Sequence, residues 1–209
     1  MNAGPILWYF ADPMCSWCWG FSPAIEAVRE MYREQTKISL VLGGLRPGSA
    51  EALSAQGREE ILHHRHQVHE RTGQPFKFED ALPAGFVYDT EPACRAVAAM
   101  GELDPTLIFP MFKAVQSAFY AEGLNVTQAA VLTDLAASLG VESQRFAPAF
   151  ASHAAKTRTE AHFRLARQWG IKGFPTLILQ RDKNVHLITS GWQPILAIRA
   201  AIDAGLSKA

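Results

Sequence analysis

The chain of 209 residues has an ordinary globular composition, with 48% hydrophobic and 19% charged residues. Lysine and arginine together number 20, as do aspartate and glutamate, so the chain carries no formal net charge and lacks the basic surplus typical of nucleic-acid binding. No apolar run approaches the roughly 18 residues that would span a bilayer. We therefore expect neither a nucleic-acid partner nor a membrane partner.

The amino-terminal residues and the cysteine content predict a cytoplasmic location. The stretch Met1–Pro5 carries no positive charge, and Asp12 interrupts the apolar run behind it, so no secretory signal is evident. Three cysteines in a chain of this length do not form a disulfide framework. In a reducing compartment, a close pair of cysteines is expected to be catalytic, redox-sensing or metal-binding.

The first elements are predicted to be strand, helix and strand. Residues 6–11 are aliphatic and aromatic, as in a buried strand. The helix that follows has Cys15 at its first turn and contains Pro23, which should kink it. Residues 37–42 predict a second strand, which ends at two glycines. This order predicts a βαβ unit with parallel strands and a right-handed crossover.

The middle of the chain is predicted to be helical, and its end is predicted to return to strands. Residues 48 to about 153 show helical patterns separated by glycine and proline. The predicted helices cover residues 93–100, 105–121 and 127–139, the last capped by Thr127 and ended by Gly140, with one more at 154–169. Residues 176–179 and 185–189 predict a hairpin with a polar turn at 182–184, and residues 194–206 predict a closing helix.

These elements predict a discontinuous α/β fold. The order is β-α-β, then a block of helices, then β-β-α. We expect residues 1–48 and 154–209 to form one four-stranded domain, and residues 49–153 to form an all-helical insertion into it.

The sequence CSWC at residues 15–18 carries the most specific chemical signal. Two cysteines two residues apart, between a strand and a helix, can exchange disulfides, because one thiol attacks and the other resolves the mixed disulfide. A helix N-terminus favours a thiolate, so Cys15 is the candidate nucleophile. Cys18, one turn further on, is the candidate resolving thiol, and Asp12 should oppose thiolate formation if it lies close. Half of a zinc site and incidental packing are the alternatives.

A second signal precedes the predicted third strand, where residues 170–176 read GIKGFPT. Pro175 cannot donate a hydrogen bond to a sheet and should lie at the start of the strand. A cis bond between Phe174 and Pro175, accessible at low cost, would turn the N–H and C=O groups of residue 174 outward. Those groups could hold an extended peptide or glutathione beside Cys15. An ordinary turn before a strand is the alternative.

Together, the two motifs resemble those of the thioredoxin superfamily, and within it the DsbA-like branch with its helical insertion. The resemblance rests on the CSWC motif, on Pro23 five residues past its second cysteine, and on residues 173–176, GFPT. The segment at residues 12–20, DPMCSWCWG, is similar to the cytoplasmic FrnE-like members of that branch. The order of elements extends the resemblance over nearly the whole chain.

The resemblance implies a thioredoxin-like fold and a protein-disulfide oxidoreductase activity. Cys15 would be the attacking thiol, Cys18 the resolving thiol and Pro175 the cis-proline. The implied substrates are disulfides of proteins or of small molecules. No tightly bound cofactor is implied, and glutathione is a candidate co-substrate.

Aromatic residues distinguish this chain within the family that it resembles. Tyr9 stands six residues before the first cysteine, where many relatives carry a buried carboxylate that helps to move the proton of the second cysteine. That proton would then need a water, a more distant acid or no assistance. Phe174 is bulkier than the residue common before the cis-proline. We expect Trp17, Phe174 and Trp19 to contact substrate, and Trp8 and Phe10 to pack in the core.

Three further features each have a functional and a structural interpretation. His63, His66 and His69 share helical faces and could bind a metal, although a segment this rich in charge is typical of a solvated helix surface, and no metal site is predicted. Cys94 is expected to be an inert buried thiol. The loop at residues 43–48, GGLRPG, could offer backbone N–H groups and a guanidinium to an anion such as glutathione, or could be an ordinary strand exit.

Two other functions remain open at this point. One is a glutathione-dependent isomerase or transferase, like the 2-hydroxychromene-2-carboxylate isomerases and kappa-class transferases; those use serine at the first active-site position and lack the resolving cysteine. The other is a protease adaptor of the YjbH-like type, in which the cysteine pair would serve as a redox sensor.

Overall fold

A single four-stranded sheet organises the molecule. The computed structural model describes residues 4–207; residues 1–3 and 208–209, at the outer ends of the predicted discontinuous domain, lie outside the described residues. The strands are β1 (Ile6–Ala11), β2 (Lys37–Leu42), β3 (Thr176–Arg181) and β4 (Asn184–Ser190). Their order in the sheet is β2-β1-β3-β4, with β1 and β2 parallel and the other neighbours antiparallel. All four predicted strands are therefore confirmed.

Eight α-helices complete the described part of the chain. They are α1 (Ser16–Met31), α2 (Ala55–Thr72), α3 (Glu91–Leu103), α4 (Ile108–Tyr120), α5 (Ala129–Ser138), α6 (Ser143–Ala151), α7 (His153–Gln168) and α8 (Ile195–Ser207). A short 3₁₀ helix, Pro105–Leu107, leads into α4. The predicted fold class, an α/β sheet interrupted by helices, is confirmed. The division at residues 48 and 153 stays a prediction.

The start of α5 differs from the sequence-based expectation. The residue at its N-cap is Gln128, not Thr127. The backbone N–H and the hydroxyl of Thr127 both donate to Oδ1 of Asn125, at 3.1 and 2.7 Å. These bonds, together with the one from the N–H of Gln128 to the carbonyl of Asn125, place Thr127 inside a turn, so the helix starts after it. Gly140, with φ of 86°, ends the helical segment as predicted.

The central strand β1 divides the core into two parts because successive side chains point to opposite faces of a sheet. Leu7 and Tyr9 belong to the large core shared with the inserted helices. Phe10 belongs to a smaller cluster on the other face, against which Trp8 and Trp169 pack. Packing on both faces holds β1 rigidly, and the residues that follow it begin the candidate site.

None of the helices between residues 4 and 207 combines the length and the apolar character needed to cross a bilayer.

Candidate active site

Cys15 lies at the junction between β1 and α1. It is the N-cap residue of α1, and its backbone N–H donates to the carbonyl of Asp12 at 3.1 Å. The N–H of Met14 donates to Oδ1 of Asp12 at 2.8 Å, so the short connection is held by one aspartate. Only 7% of Cys15 is exposed. Cys15 therefore stands at a helix start, a position at which unpaired N–H groups and the helix dipole favour negative charge, although its side chain makes no capping hydrogen bond to a described residue.

Cys18 has a different environment from Cys15. It is fully buried one turn further along α1, and its thiol hydrogen-bonds to Cys15. Burial is the main cause that raises the pKa of Cys18 well above its ordinary value, and the interaction with Cys15 adds to it. All three cysteines are free thiols. The pair thus consists of one thiol at the cavity wall and one protonated thiol behind it.

Phe174 and Pro175 lie opposite Cys15. The peptide bond between them is cis. The Cys15 thiol donates to the carbonyl oxygen of Phe174, with 3.6 Å between sulfur and oxygen. The antiparallel pairing of β1 with β3, which aligns Phe10 with Thr176, brings these distant segments together.

Trp17 and Phe174 separate two cavities next to the cysteine pair. Both residues are half-buried. The larger cavity, about 510 Å³, is also lined by Arg71 and Trp192, and the smaller one, about 240 Å³, reaches Cys15. The aromatic side chains predicted to meet substrate at positions 17 and 174 therefore border open space beside the nucleophile.

Trp19 does not face a substrate site as predicted, because its side chain faces the protein interior. It is 5% exposed, its indole N–H donates to the carbonyl of Pro75 at 2.9 Å, and its ring stacks on Tyr120. Trp19 joins α1 to the inserted segment. It is not accessible to a substrate.

Asp12 is the buried carboxylate of this site. It is fully buried, and Oδ2 accepts hydrogen bonds from the N–H of Leu45 at 2.7 Å and from the thiol of Cys94 at 3.5 Å. Burial raises the pKa of Asp12, although these bonds oppose that effect. Asp12 acts on the pKa of Cys18 in two opposite ways, because a hydrogen bond with its backbone lowers that pKa and its negative charge, with a smaller effect, raises it. Cys94 is thus buried, as predicted, and hydrogen-bonded.

Tyr9 does not substitute for the carboxylate of the relatives. It is fully buried, and among the described residues its hydroxyl makes no hydrogen bond to an oxygen or nitrogen; its polar neighbour is the Cys18 thiol. Burial, followed by the charges at Cys18 and Cys15, raises the pKa of Tyr9 well above its ordinary value. A hydroxyl held neutral in this way cannot serve as a base near neutral pH.

The loop at residues 43–48 does not present free backbone donors to an anion, contrary to one of the two interpretations given above. The N–H of Leu45 is used by Asp12, that of Arg46 donates to Oγ1 of Thr90, and that of Gly48 donates to Oδ1 of Asp89. The guanidinium of the exposed Arg46 lies over the ring of Tyr88, and Arg46 borders the smaller cavity.

Arg65 is the residue at this site that the sequence did not reveal. The segment around it is rich in histidine, arginine and glutamate, which predicted a solvated helix surface. The structure buries Arg65 completely: its guanidinium lies over the rings of Phe119 and Tyr120, and the residue is one of those around the smaller cavity. No local sequence signal marks one arginine of this segment as buried.

The three histidines of α2 make separate contacts. His66 stacks on Phe78, with 3.8 Å between ring centroids. Nδ1 of His69 is 2.7 Å from the carbonyl of Gln74, and His63 pairs with Gln67. In the part of the chain that the structure describes, no three metal-ligating side chains converge.

The chain is similar to known proteins over nearly its whole length. The DSBA-like thioredoxin domain matches residues 6–203. The chain belongs to this family. A solved structure of a protein from Nitrosomonas europaea, provisionally assigned as a protein disulfide isomerase, is 48% identical, with 99% of each chain covered and a TM-score of 0.93.

Two other relatives of this DSBA-like chain have more specific descriptions. The cytosolic disulfide reductase DsbM from Pseudomonas aeruginosa, in a structure with GSH, is 28% identical, with 96% of this chain and 98% of that chain covered and a TM-score of 0.79. The ClpXP adapter protein SpxH from Halalkalibacterium halodurans is 21% identical over 184 residues. The match covers 84% of this chain but only 58% of the length of SpxH.

Proposed function

We propose that the protein is a cytoplasmic thiol–disulfide oxidoreductase in which Cys15 attacks, Cys18 resolves and Pro175 borders the substrate site. The asymmetry of the cysteine pair carries this proposal. Cys15 sits at a helix start next to a cavity, whereas Cys18 is buried and keeps its proton. This division suits a nucleophile that meets the substrate and a second thiol that acts only after the first has reacted.

The reaction proceeds by two exchanges. The Cys15 thiolate attacks one sulfur of a substrate disulfide; the substrate S–S bond breaks, and the other sulfur leaves as a thiolate. Cys18 then loses its proton and attacks the Cys15 sulfur, which releases the second substrate thiol. The substrate disulfide is reduced to two thiols, and the protein dithiol is oxidised to a disulfide. Two molecules of glutathione would restore the dithiol and leave as glutathione disulfide.

The similarity to DsbM supports both the location and the thiol partner of this proposal. DsbM is described as a cytosolic disulfide reductase, and one of its structures contains GSH. The cytoplasmic location, the FrnE-like assignment and the use of glutathione are therefore proposed together. The presence of Cys18 argues against the serine-based isomerases and transferases, because those lack a resolving thiol.

Trapping of mixed disulfides tests the proposal. The variant Cys18→Ala is expressed in cells, adducts are preserved by rapid alkylation in acid, and the partners are identified by mass spectrometry. We expect several protein partners together with glutathione, all joined to Cys15. The Cys94→Ala protein is the matched control, since Cys94 is also buried and free. The absence of any adduct on Cys15 would refute the redox function.

The match to SpxH favours an adaptor as the second candidate function. In that case the cysteine pair would sense redox state, and a single protein would dominate the trapped partners. Binding of that partner should then survive the Cys15→Ala change, because an adaptor holds its client by non-covalent contacts. An oxidoreductase loses its partners with that change.

A further inference from the structure

We propose that the smaller cavity beside Cys15 binds the negatively charged end of a low-molecular-weight disulfide or thiol through the guanidinium of Arg65. The inference deepens the function proposed above and rests on it, because it names the substrate class for Cys15: small disulfides that carry a carboxylate.

Arg65 carries a buried charge that pairs with no acidic side chain among the described residues. The residue is fully buried, and none of its three guanidinium nitrogens has a hydrogen-bond partner among residues 4–207. Phe119 and Tyr120 lie 4.6 and 4.9 Å from its central carbon and stabilise the cation through their ring faces. A ring face stabilises the charge, but it does not accept hydrogen bonds from the N–H groups in the guanidinium plane as a carboxylate does. Burying a cation whose donors are unpaired costs free energy, and binding of an anionic acceptor would offset that cost.

The cavity that Arg65 lines has the charge and position for such an acceptor. It encloses about 240 Å³ and reaches from Arg65 to Cys15 and Phe174. Arg46 and His64 also line it, and none of its described lining residues is acidic. A bound carboxylate would therefore meet basic side chains at one end while the rest of the ligand extends towards the Cys15 sulfur.

The described acidic side chains near this cavity either accept other hydrogen bonds or face solvent. Asp12 is buried, but its two oxygens accept hydrogen bonds from Met14, Leu45 and Cys94. Glu59 and Glu60, on the same helix as Arg65, are exposed to solvent. A ligand carboxylate would supply the missing counter-charge. A carboxylate can accept two parallel N–H groups from one guanidinium, a geometry that a neutral or cationic group cannot reproduce.

Three disulfides with equal two-carbon arms test this inference. They are 3,3′-dithiodipropionate, which is anionic, 2-hydroxyethyl disulfide, which is neutral, and cystamine, which is cationic. The rate of adduct formation on Cys15 is measured with the Cys18→Ala protein by intact mass spectrometry at constant pH and ionic strength. We expect the anionic disulfide to react roughly tenfold faster than the neutral one, as a charge-assisted hydrogen bond predicts.

Arg65→Met in the same background should abolish that preference. Arg71→Met is the matched control, because Arg71 lies on the same helix but lines the larger cavity. A preference that Arg71→Met removes and Arg65→Met leaves intact would overturn the assignment. So would equal rates for the anionic and neutral disulfides.

A binding measurement keeps the inference testable if Arg65→Met fails to fold. The Arg65 Nε–H resonance is followed by NMR in the Cys15→Ser protein, which cannot form the adduct, during titration with propionate or with propionamide. We expect propionate alone to shift it. An unmoved resonance overturns the inference, whether or not Cys15 reacts with disulfides. A shifted resonance with no adduct on Cys15 would instead refute only the proposed function.

Discussion

The Cys15 thiol donates to the carbonyl oxygen of Phe174 although 159 positions separate the two residues in the chain. The backbone of Phe174 thus faces the nucleophile. Its ring packs on the other side, over Gly43 at the end of β2. Phe174 therefore connects the active-site sulfur to the edge of the sheet. Substitutions that move its ring or its backbone should change the reactivity of Cys15.

Gly43→Ala should disturb this connection. A Cβ at position 43 would lie 2.1 Å from Cζ of Phe174, so the ring would have to move. We expect urea denaturation to show a loss of about 1–3 kcal/mol in the free energy of unfolding, as for other overpacked sites. Adduct formation at Cys15 should also be slower. Gly173→Ala is the control, because a Cβ there meets nothing within 4 Å.

The same change made in a Phe174→Ala background identifies the cause. Without the ring, the added methyl group has space, so Gly43→Ala should destabilise the double variant less than it destabilises the natural protein. An equal loss in both backgrounds would contradict the proposed clash.

Tyr9→Phe and Tyr88→Phe form a matched pair of hydroxyl deletions, since both side chains are buried. Among the described residues the Tyr9 hydroxyl meets no oxygen or nitrogen partner and only the weakly bonding Cys18 thiol, so its removal should change stability by no more than about 1 kcal/mol. The Tyr88 hydroxyl donates to the carbonyl of Met14 at 2.6 Å, so its removal should destabilise by roughly 1–3 kcal/mol. Urea denaturation measures both. Equal losses would show that the Tyr9 hydroxyl is bonded as strongly as that of Tyr88.

Asp12→Asn should destabilise the connection between β1 and α1. Each carboxylate oxygen accepts a backbone N–H, one from Met14 and one from Leu45. An amide presents an NH₂ group in place of one acceptor, which leaves a buried donor facing a donor. We expect a loss of roughly 1–3 kcal/mol at pH 7, measured by urea denaturation. The exposed Asp134 supplies the control, Asp134→Asn, for which a loss of similar size would argue against this explanation.

The buried thiols predict a loss of stability in alkali. The pKa values of Cys18 and Cys94 are both raised by burial, so folding favours their protonated forms. Their contribution is fully present below the ordinary thiol value of about 8.5 and falls as pH rises above it, because unfolded thiols then ionise while folded ones do not. The free energy of unfolding under reducing conditions should therefore decline between pH 8 and pH 10.

Cys94→Ala isolates one of these thiols. Above the ordinary thiol value, the slope of stability against pH should become shallower by about 1.4 kcal/mol per pH unit. A constant offset from the lost packing does not affect the slope. Parallel curves for the natural protein and the variant would contradict the raised pKa of Cys94.

The sheet and the first helix could be predicted closely because their signals are local. Residues 6–11 and 37–42 are continuous apolar runs bounded by turn residues, and they form strands with those limits. The CSWC motif begins directly before a helix, as its neighbours indicated. Thr127 shows the limit of such reasoning, because its two hydrogen bonds to Asn125 hold it in the turn before the helix.

The sequence by itself determined the order of strands and helices and placed a cysteine pair between the first strand and helix, since hydrophobic spacing and turn residues act over short distances. Only the tertiary structure decided what surrounds that pair. Trp19 is buried because Tyr120 packs on it, and Arg65 is buried because Phe119 and Tyr120 cover it. Burial and hydrogen-bond partners depend on residues that are distant in the chain, and no local pattern encodes those contacts.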